Sequence, residues 1–409
     1  MILSVNEARE RLLRAFSSLH PESVPLDKSA GRVLAETILA PTDLPPFSNS
    51  SMDGFALRAE DISEASAQSP VQLQVVADIP AGKPSDVILQ PGQTARIMTG
   101  APLPVGADTV IPVEGTDFNH RDAGTAAPAY VGIMRSVSAG AYVRPRGEDL
   151  RAGETVLPPG RVLRPKEVGM LAMLGRAAVQ VVRRPLVGVL SSGDELLPVG
   201  SPPEPGKIYE SNAHTLSALV EEAGAIPLNL GIALDQATAV QERLDTAVSH
   251  GADLILSSAG VSVGAYDFVR KVVETYGRLD FWRVNMRPGK PLTFGEYRGL
   301  PFVGLPGNPV STYVGFEVFV RPALCKMLGM ESWQRESLRV ALDEEIQSDG
   351  RESYLRGVVT LRDGVRYARL TGHQGSGNHY SLVQANAFII VPAGVKSLPP
   401  GSEVEIWPL

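Results

Sequence analysis

The sequence predicts an α/β plus β fold, in which one parallel-sheet α/β domain is joined to two smaller β-rich domains. Three observations carry this. From Arg183 to about residue 330, short apolar runs alternate with helical patterns, the texture of βαβ units and a parallel sheet. On both sides of that stretch the chain turns to short β-like runs punctuated by Gly and Pro. And 409 residues are too many for one ordinary core, so several domains are required.

In chain order, Ser4-Val5-Asn6-Glu7 reads as a capping box that opens a helix, with Val5, Ala8, Leu12 and Phe16 as its apolar stripe. Residues 1–42 and 144–182 are assigned to a discontinuous helical and mixed domain, the second piece holding a short helix opened by Pro165. Between them, residues 43–143 form an inserted β-rich domain with runs at 71–76 and 94–98. Residues 183–330 form the α/β domain. Its strands are read at 185–190, in a second run ending at Ala233, and at 253–256 and 301–305. Its helices are read from Ser211-Asn212 to Ala223, over about 236–249, from about Tyr266, and from Pro309. Residues 331–409, with runs at 354–361, 387–391 and 403–407, form a C-terminal β-barrel-like domain.

Composition narrows the function classes. The chain is 44% hydrophobic and 20% charged, as globular proteins are. A formal net charge of -7 argues against nucleic-acid binding, so an anion must be held by local cations and backbone N–H groups. The single cysteine, Cys325, permits no intrachain disulfide and sits in an apolar helical stretch, which suggests an inert buried thiol in a reducing compartment. No run approaches the ~20 apolar residues of a membrane span and no leader-like segment opens the chain, so a cytoplasmic protein without membrane attachment is expected.

Chemistry is concentrated at the strand ends, where ligands of open α/β sheets bind. The third strand runs into Gly260-Val261-Ser262-Val263-Gly264, followed by Asp267. Its glycines let successive N–H groups face one anion, or serve only a tight packing turn. The same residues match a nucleophile elbow, but only His373 and His379 follow Ser262, so a serine esterase is the weaker reading. The last strand ends in Pro306-Gly307-Asn308-Pro309-Val310-Ser311, where Asn308 suits a helix cap and Pro309 the first helical position. Arg287-Pro288-Gly289-Lys290 puts two cations on a stiff turn, fit for a small oxyanion or simply a solvated hairpin tip. Ser192-Gly193-Asp194-Glu195, Asp235 and Asp267 put carboxylates at neighbouring strand ends; Mg²⁺ would reconcile them with a phosphate, while helix capping is the plainer account of Asp235. Three polar loops carry Asp53, Thr99 and Arg146-Gly147-Glu148-Asp149, the last setting a guanidinium beside two acids. A fourth, in the C-terminal domain, carries Ser376. Signatures of P-loop, dinucleotide-binding and zinc sites are missing from the sequence.

Eight of these motifs, taken in order from Asn49-Ser50-Ser51-Met52-Asp53-Gly54 to Gly372-His373-Gln374-Gly375-Ser376, resemble those of the molybdopterin molybdenumtransferases, a family that includes the C-terminal part of gephyrin. The resemblance spans essentially the whole chain. It implies an elongated four-domain homodimer with an α/β domain of the molybdopterin-binding type, whose cleft faces the partner subunit. It implies insertion of molybdate into molybdopterin-AMP with Mg²⁺ and release of AMP. Asp53, Thr99, Asp149, Glu195, Asp235 and Asp267 are the implied catalytic groups, with Glu195 and Asp267 on the metal. Ser192, Gly193, Gly260, Ser262, Gly264, Pro306, Asn308 and Pro309 are implied for molybdopterin-AMP. Arg287, Lys290, Ser311, Arg356 and Ser376 are implied for molybdate. The upstream adenylyltransferase and molybdoenzyme maturation factors are the implied protein partners. Because Arg356 and Ser376 lie in a different domain from Arg287 and Lys290, a cleft shared between subunits is expected. Three departures stand out: Ala259 and Ala265 replace a frequent Gly and a frequent acid, and Arg287 replaces a commoner Lys. A non-catalytic molybdopterin-binding scaffold and the adenylyltransferase itself are the rival readings, the latter matched only by the α/β region.

Overall fold

The structure, a computed structural model, describes residues 2–118, 122, 124–259, 268–281 and 283–409. It divides into two compact units, one of Met1–Glu36, Pro159–Gly169 and Arg176–Leu409, the other of Thr37–Pro158 and Met170–Gly175.

Helix α1 (Val5–Arg14) starts at the capping box: the Ser4 N–H donates to Glu7 Oε2 at 2.9 Å, and the Glu7 N–H donates back to Ser4 Oγ at 3.3 Å. Its Val5, Ala8 and Leu12 are buried, as the stripe requires.

The unit built from Thr37–Pro158 is a five-stranded sheet. Its strands are β1 (Gly54–Leu57), β2 (Val71–Ile79), β3 (Gln93–Ile97), β4 (Thr109–Pro112) and β5 (Tyr130–Ile133), in the order β4-β1-β3-β2-β5. β1 lies between β4 and β3 and is buried along its length. A Cβ at Gly54 would run into the Ile111 carbonyl, so only glycine lets β1 begin there and leaves Asp53 at its mouth.

In the larger unit the predicted alternation is present. β6 (Leu186–Ser192), α2 (Asn212–Glu222), β7 (Ile226–Ala233), α3 (Ala237–Ser249), β8 (Leu254–Ser258) and α4 (Phe268–Tyr276) are followed by β9 (Gly277–Phe281), β10 (Met286–Arg287), β11 (Thr293–Tyr297), β12 (Leu300–Leu305) and α5 (Pro309–Gly315). The sheet order is β7-β6-β8-β12-β11-β9. The first four strands are parallel, so their carboxyl ends share one edge. β11 and β9 extend the sheet antiparallel, an addition the sequence pattern did not suggest.

The C-terminal strands are β13 (Leu338–Leu342), β14 (Glu352–Arg362), β15 (Val365–Leu370), β16 (Ala387–Val391) and β17 (Glu403–Pro408). β14 pairs with both β15 and β16, so the ring β14-β15-β13-β17-β16 closes on itself. Strand alternation sorts its side chains into two sets. Leu355, Ile389 and Ile406 fill the ring with Val340 and Val404. Tyr354 and Phe388 point the other way, into the same core as Leu12, Val189, Leu256 and Val310, with Trp407 packed against it. Arg356 shares the parity of Tyr354 and is fully buried. β10, although it comes from the α/β segment, pairs in parallel with β14, setting Arg287 opposite Ser353. Cys325, in the helix Arg321–Met327, is half-buried, and burial pushes its thiol up, which keeps it protonated and unreactive. Among the described residues no helix is long and apolar enough to cross a membrane.

Candidate functional site

At the carboxyl edge of the parallel strands lies a cleft of about 580 Å³. Ser192, Glu195, Pro306, Asn308 and Pro309 all line it. Ser192 Oγ donates to Asp235 Oδ1 at 3.1 Å, and the Asp235 N–H donates to Asp194 Oδ1 at 3.1 Å, so the ends of β6 and β7 are tied together. Asp235 is not a helix cap: Gln236 holds that position before α3 and makes no side-chain bond there. Gly193 has φ +153, and a Cβ on it would strike the Glu195 carboxylate. The glycine is therefore a condition for Glu195 to fold back over the strand end.

Two residues that sequence reasoning passed over organise this edge. Glu210 is buried, and its Oε1 accepts from Ser191 Oγ at 2.9 Å and from the Ala213 N–H at 2.6 Å, fixing the start of α2 to β6. Asn212 Nδ2 donates to Ser258 Oγ and to the Gly307 carbonyl, each at 2.7 Å, bridging the ends of β8 and β12. An acid before Ser-Asn at a helix start was the only available signal, and it reads equally well as ordinary capping. Gly260, Ser262, Gly264 and Asp267, along with the substituted Ala265, lie outside the described residues. Among the described residues no three His, Cys, Asp or Glu side chains gather to hold a metal.

Beside this cleft the cations collect. Arg356 Nε donates to Ser381 Oγ at 2.9 Å and Nη2 to the Gly375 carbonyl at 3.0 Å, while the buried Nη1 has no partner. Gln374 clasps the backbone of the same residue, accepting from its N–H and donating to its carbonyl. Burial and the nearby Arg287 push the Arg356 guanidinium down to about 10. Among the described residues no carboxylate forms an ion pair with Arg356 or Lys290, and Arg287 has only the Asp349 carboxyl, itself paired with Arg351, near enough to feel its charge. Lys290 is exposed at the end of the turn, and Gly289 lies against the Ser311 carbonyl. Ser376 joins the set from the barrel loop, its Oγ accepting from Asn308 Nδ2 at 2.9 Å. Asn308 precedes α5 as expected but makes no capping bond; its amide is spent on Ser376. The pairing of β10 with β14 gathers Arg287, Ser311, Arg356 and Ser376 within a single chain. Separate domains thus no longer argue that these residues come from two subunits. Ser381, which holds the Arg356 Nε, was not singled out from the sequence because its role exists only once the loop folds under the guanidinium.

The other unit holds a second recess, of about 480 Å³, lined by Asp53, Phe55, Arg96, Met98 and Thr99. Asp53 Oδ1 accepts from both the N–H and the hydroxyl of Thr99, each at 2.7 Å. These two bonds hold the exposed Asp53 carboxyl below its ordinary range, so it stays ionised. Asp149 receives Arg144 Nη2 at 2.7 Å, and Glu148 receives Arg144 Nε at 3.2 Å. The guanidinium beside the two acids is therefore Arg144, not Arg146. Arg146 instead donates to Asp43 at 2.6 Å, because the tight turn at Gly147, whose N–H bonds to the Pro45 carbonyl, aims it away from them.

Comparison with known proteins identifies the family. Residues 3–175 match the family model of the MoeA N-terminal region (domain I and II), residues 188–326 the "Probable molybdopterin binding domain", and residues 339–409 the MoeA C-terminal region (domain IV). The chain is similar to the molybdopterin molybdenumtransferase of Nostoc sp., with 39% identity over 95% of this chain and 88% of that one. It is also similar to molybdopterin molybdenumtransferase 2 of Mycobacterium tuberculosis, with 38% identity over 99% of both chains. A crystal structure of the molybdopterin biosynthesis moeA protein from Pyrococcus horikoshii superposes with a TM-score of 0.83 at 30% identity, covering 100% of both chains. The chain belongs to the molybdopterin molybdenumtransferase family.

Proposed function

We propose that this protein inserts molybdate into adenylylated molybdopterin, releasing AMP and completing the molybdenum cofactor. Its similarity to transferases of that name supports the activity. The observation that carries the chemistry is Arg356. A guanidinium with an unpartnered buried nitrogen, pressed by a second arginine and met by no carboxylate among the described residues, is an incomplete electrostatic arrangement. A tetrahedral dianion would complete it, accepting from Arg356 Nη1, Arg287, Lys290 and the Ser376 hydroxyl, with Ser311 at the rim. Molybdopterin-AMP would occupy the adjoining cleft, against Ser192, Gly193, Pro306, Asn308 and Pro309, with Gly260, Ser262 and Gly264 completing the expected set. Such a placement would bring the dithiolene to the oxyanion and leave the pyrophosphate near the carboxylates.

Those carboxylates suit Mg²⁺. Glu195 and Asp235 offer hard oxygens, and Mg²⁺ needs only one or two of them when phosphate oxygens and water supply the rest. Bound there with Asp267, the ion would neutralise charge developing on the cleaved pyrophosphate. Asp53, Thr99 and Asp149 would serve the same reaction, Asp53 as a permanently ionised acid. We further propose a cytoplasmic homodimer that receives its substrate from the upstream adenylyltransferase and hands its product to molybdoenzyme maturation factors. The direct test is AMP release from molybdopterin-AMP on adding molybdate, with and without Mg²⁺. Release that ignores molybdate would refute the proposal.

A further inference from the structure

An asparagine at the start of a helix ordinarily turns its side chain onto the first free N–H groups. Asn308 does otherwise. It stands before α5, makes no bond to that helix, and extends Nδ2 to Ser376 Oγ at 2.9 Å. The Val310 N–H, which the side chain could have served, donates instead to the Ser376 carbonyl at 3.1 Å. Backbone and side chain of one barrel-loop residue are thus both fixed from the α/β side. The neighbouring Gly375 carbonyl accepts from Arg356 Nη2 at 3.0 Å, so this loop is held from the other direction as well.

The consequence lies in the proton of a hydroxyl. A serine oxygen accepts at its lone pairs and donates one hydrogen. An amide N–H on the lone-pair side leaves the hydrogen to point elsewhere, and among the described residues none accepts it. We infer that Asn308 is a positioning residue for the oxyanion: it holds Ser376 so that the hydroxyl proton faces the anion gathered by Arg356, Arg287 and Lys290. This rests on the molybdate reading above and adds to it. The sequence motif had suggested a role for Asn308 toward molybdopterin-AMP alone.

The test is a double-mutant cycle on Asn308→Ala and Ser376→Ala, reading binding of molybdate alone by equilibrium dialysis and the molybdate dependence of AMP release. Each single substitution should weaken molybdate roughly 3- to 10-fold, the value of one hydrogen bond, and the loss should fall mainly on KM for molybdate. Because Asn308 acts through Ser376, the double variant should be no weaker than Ser376→Ala. Asn308→Asp, nearly the same shape, should be worse than Asn308→Ala, since a carboxylate can only accept and would draw the serine proton to itself. Thermal melting of each variant checks that it is folded, and the nearly isosteric Asp variant keeps the test open if the alanine is not. Additive losses in the double variant, or an Asp variant that binds molybdate as well as wild type, would overturn the positioning role. If Lys290→Ala and Ser376→Ala both leave molybdate binding untouched, the molybdate reading itself is wrong and the inference goes with it.

Discussion

Ala259 carries its backbone at φ +74, where a side chain crowds the following carbonyl. The position follows directly on β8 and touches the cleft, so the family's usual glycine answers a local geometric demand that alanine meets under strain. Ala259→Gly should leave the protein as stable or more so, by up to about 1 kcal/mol, while Ala259→Val should cost about 1–3 kcal/mol. Chemical denaturation of the two variants checks the order, and a valine variant as stable as wild type would contradict it. For Lys290, exposure screens the charge, so Lys290→Ala should raise half-saturating molybdate about tenfold, at the low end for a charged hydrogen bond. Excess molybdate should restore its rate. Arg356 supplies a pH signature. Its guanidinium is pushed down to about 10, so it stays charged through neutrality and loses its proton as pH rises through that value. An anion binds the protonated form, so molybdate affinity should be level from about pH 7 to 9 and fall through about pH 10. Binding that persists unchanged above pH 11 would exclude Arg356 from the site.

Among the elements, the turn from β6 sets a glycine directly against the carboxylate of Glu195. Gly193→Ala places a Cβ against the Glu195 carboxylate and must swing that acid out of the cleft. The expected outcome is a folded protein whose AMP release has lost much of its Mg²⁺ response; full Mg²⁺-dependent activity would show that the Glu195 position does not matter. Elements with a strong local signature were legible in the sequence: the capping box of α1, the helix from Ser211-Asn212 to Ala223, and the four parallel strands. β9 and β11 were not. Gly277–Phe281 lies at the sheet edge and is largely exposed, while Thr293–Tyr297 is buried but breaks its apolar residues with Gly295 and Glu296, so neither reads as an apolar run. The two-residue β10 carries no pattern at all, yet its pairing with Ser353 brings Arg287 to Arg356. Arg287 and Lys290 drew notice as two cations on a stiff turn, and the structure brings Arg287 close to Arg356. Glu210, Asn212 and Ser381 did not, because a hydrogen-bonding residue reveals its purpose only through a partner that folding supplies.

At the scale of the whole molecule, the meeting of Arg287 and Arg356 within one chain changes what a shared cleft could exchange. If the proposed oxyanion site lies within one chain, as the approach of Arg287 to Arg356 supports, Lys290→Ala and Ser376→Ala subunits should fail to complement each other in mixed dimers. If the partner subunit completes the cleft, Asp53→Ala with Lys290→Ala is the pair expected to recover activity, because Asp53 belongs to the other compact unit. Mixed dimers of verified composition, assayed for AMP release, decide between these outcomes. The outward face of the barrel has a further consequence. Tyr354 and Phe388 are buried in the core that begins at α1, and β10 is already a strand of the barrel's sheet. A protease that cuts the exposed stretch near Gln334 would therefore not free the last seventy or so residues. The two fragments should travel together through gel filtration in native buffer and part only in denaturant, behaving as a split protein whose halves recognise each other without a covalent link.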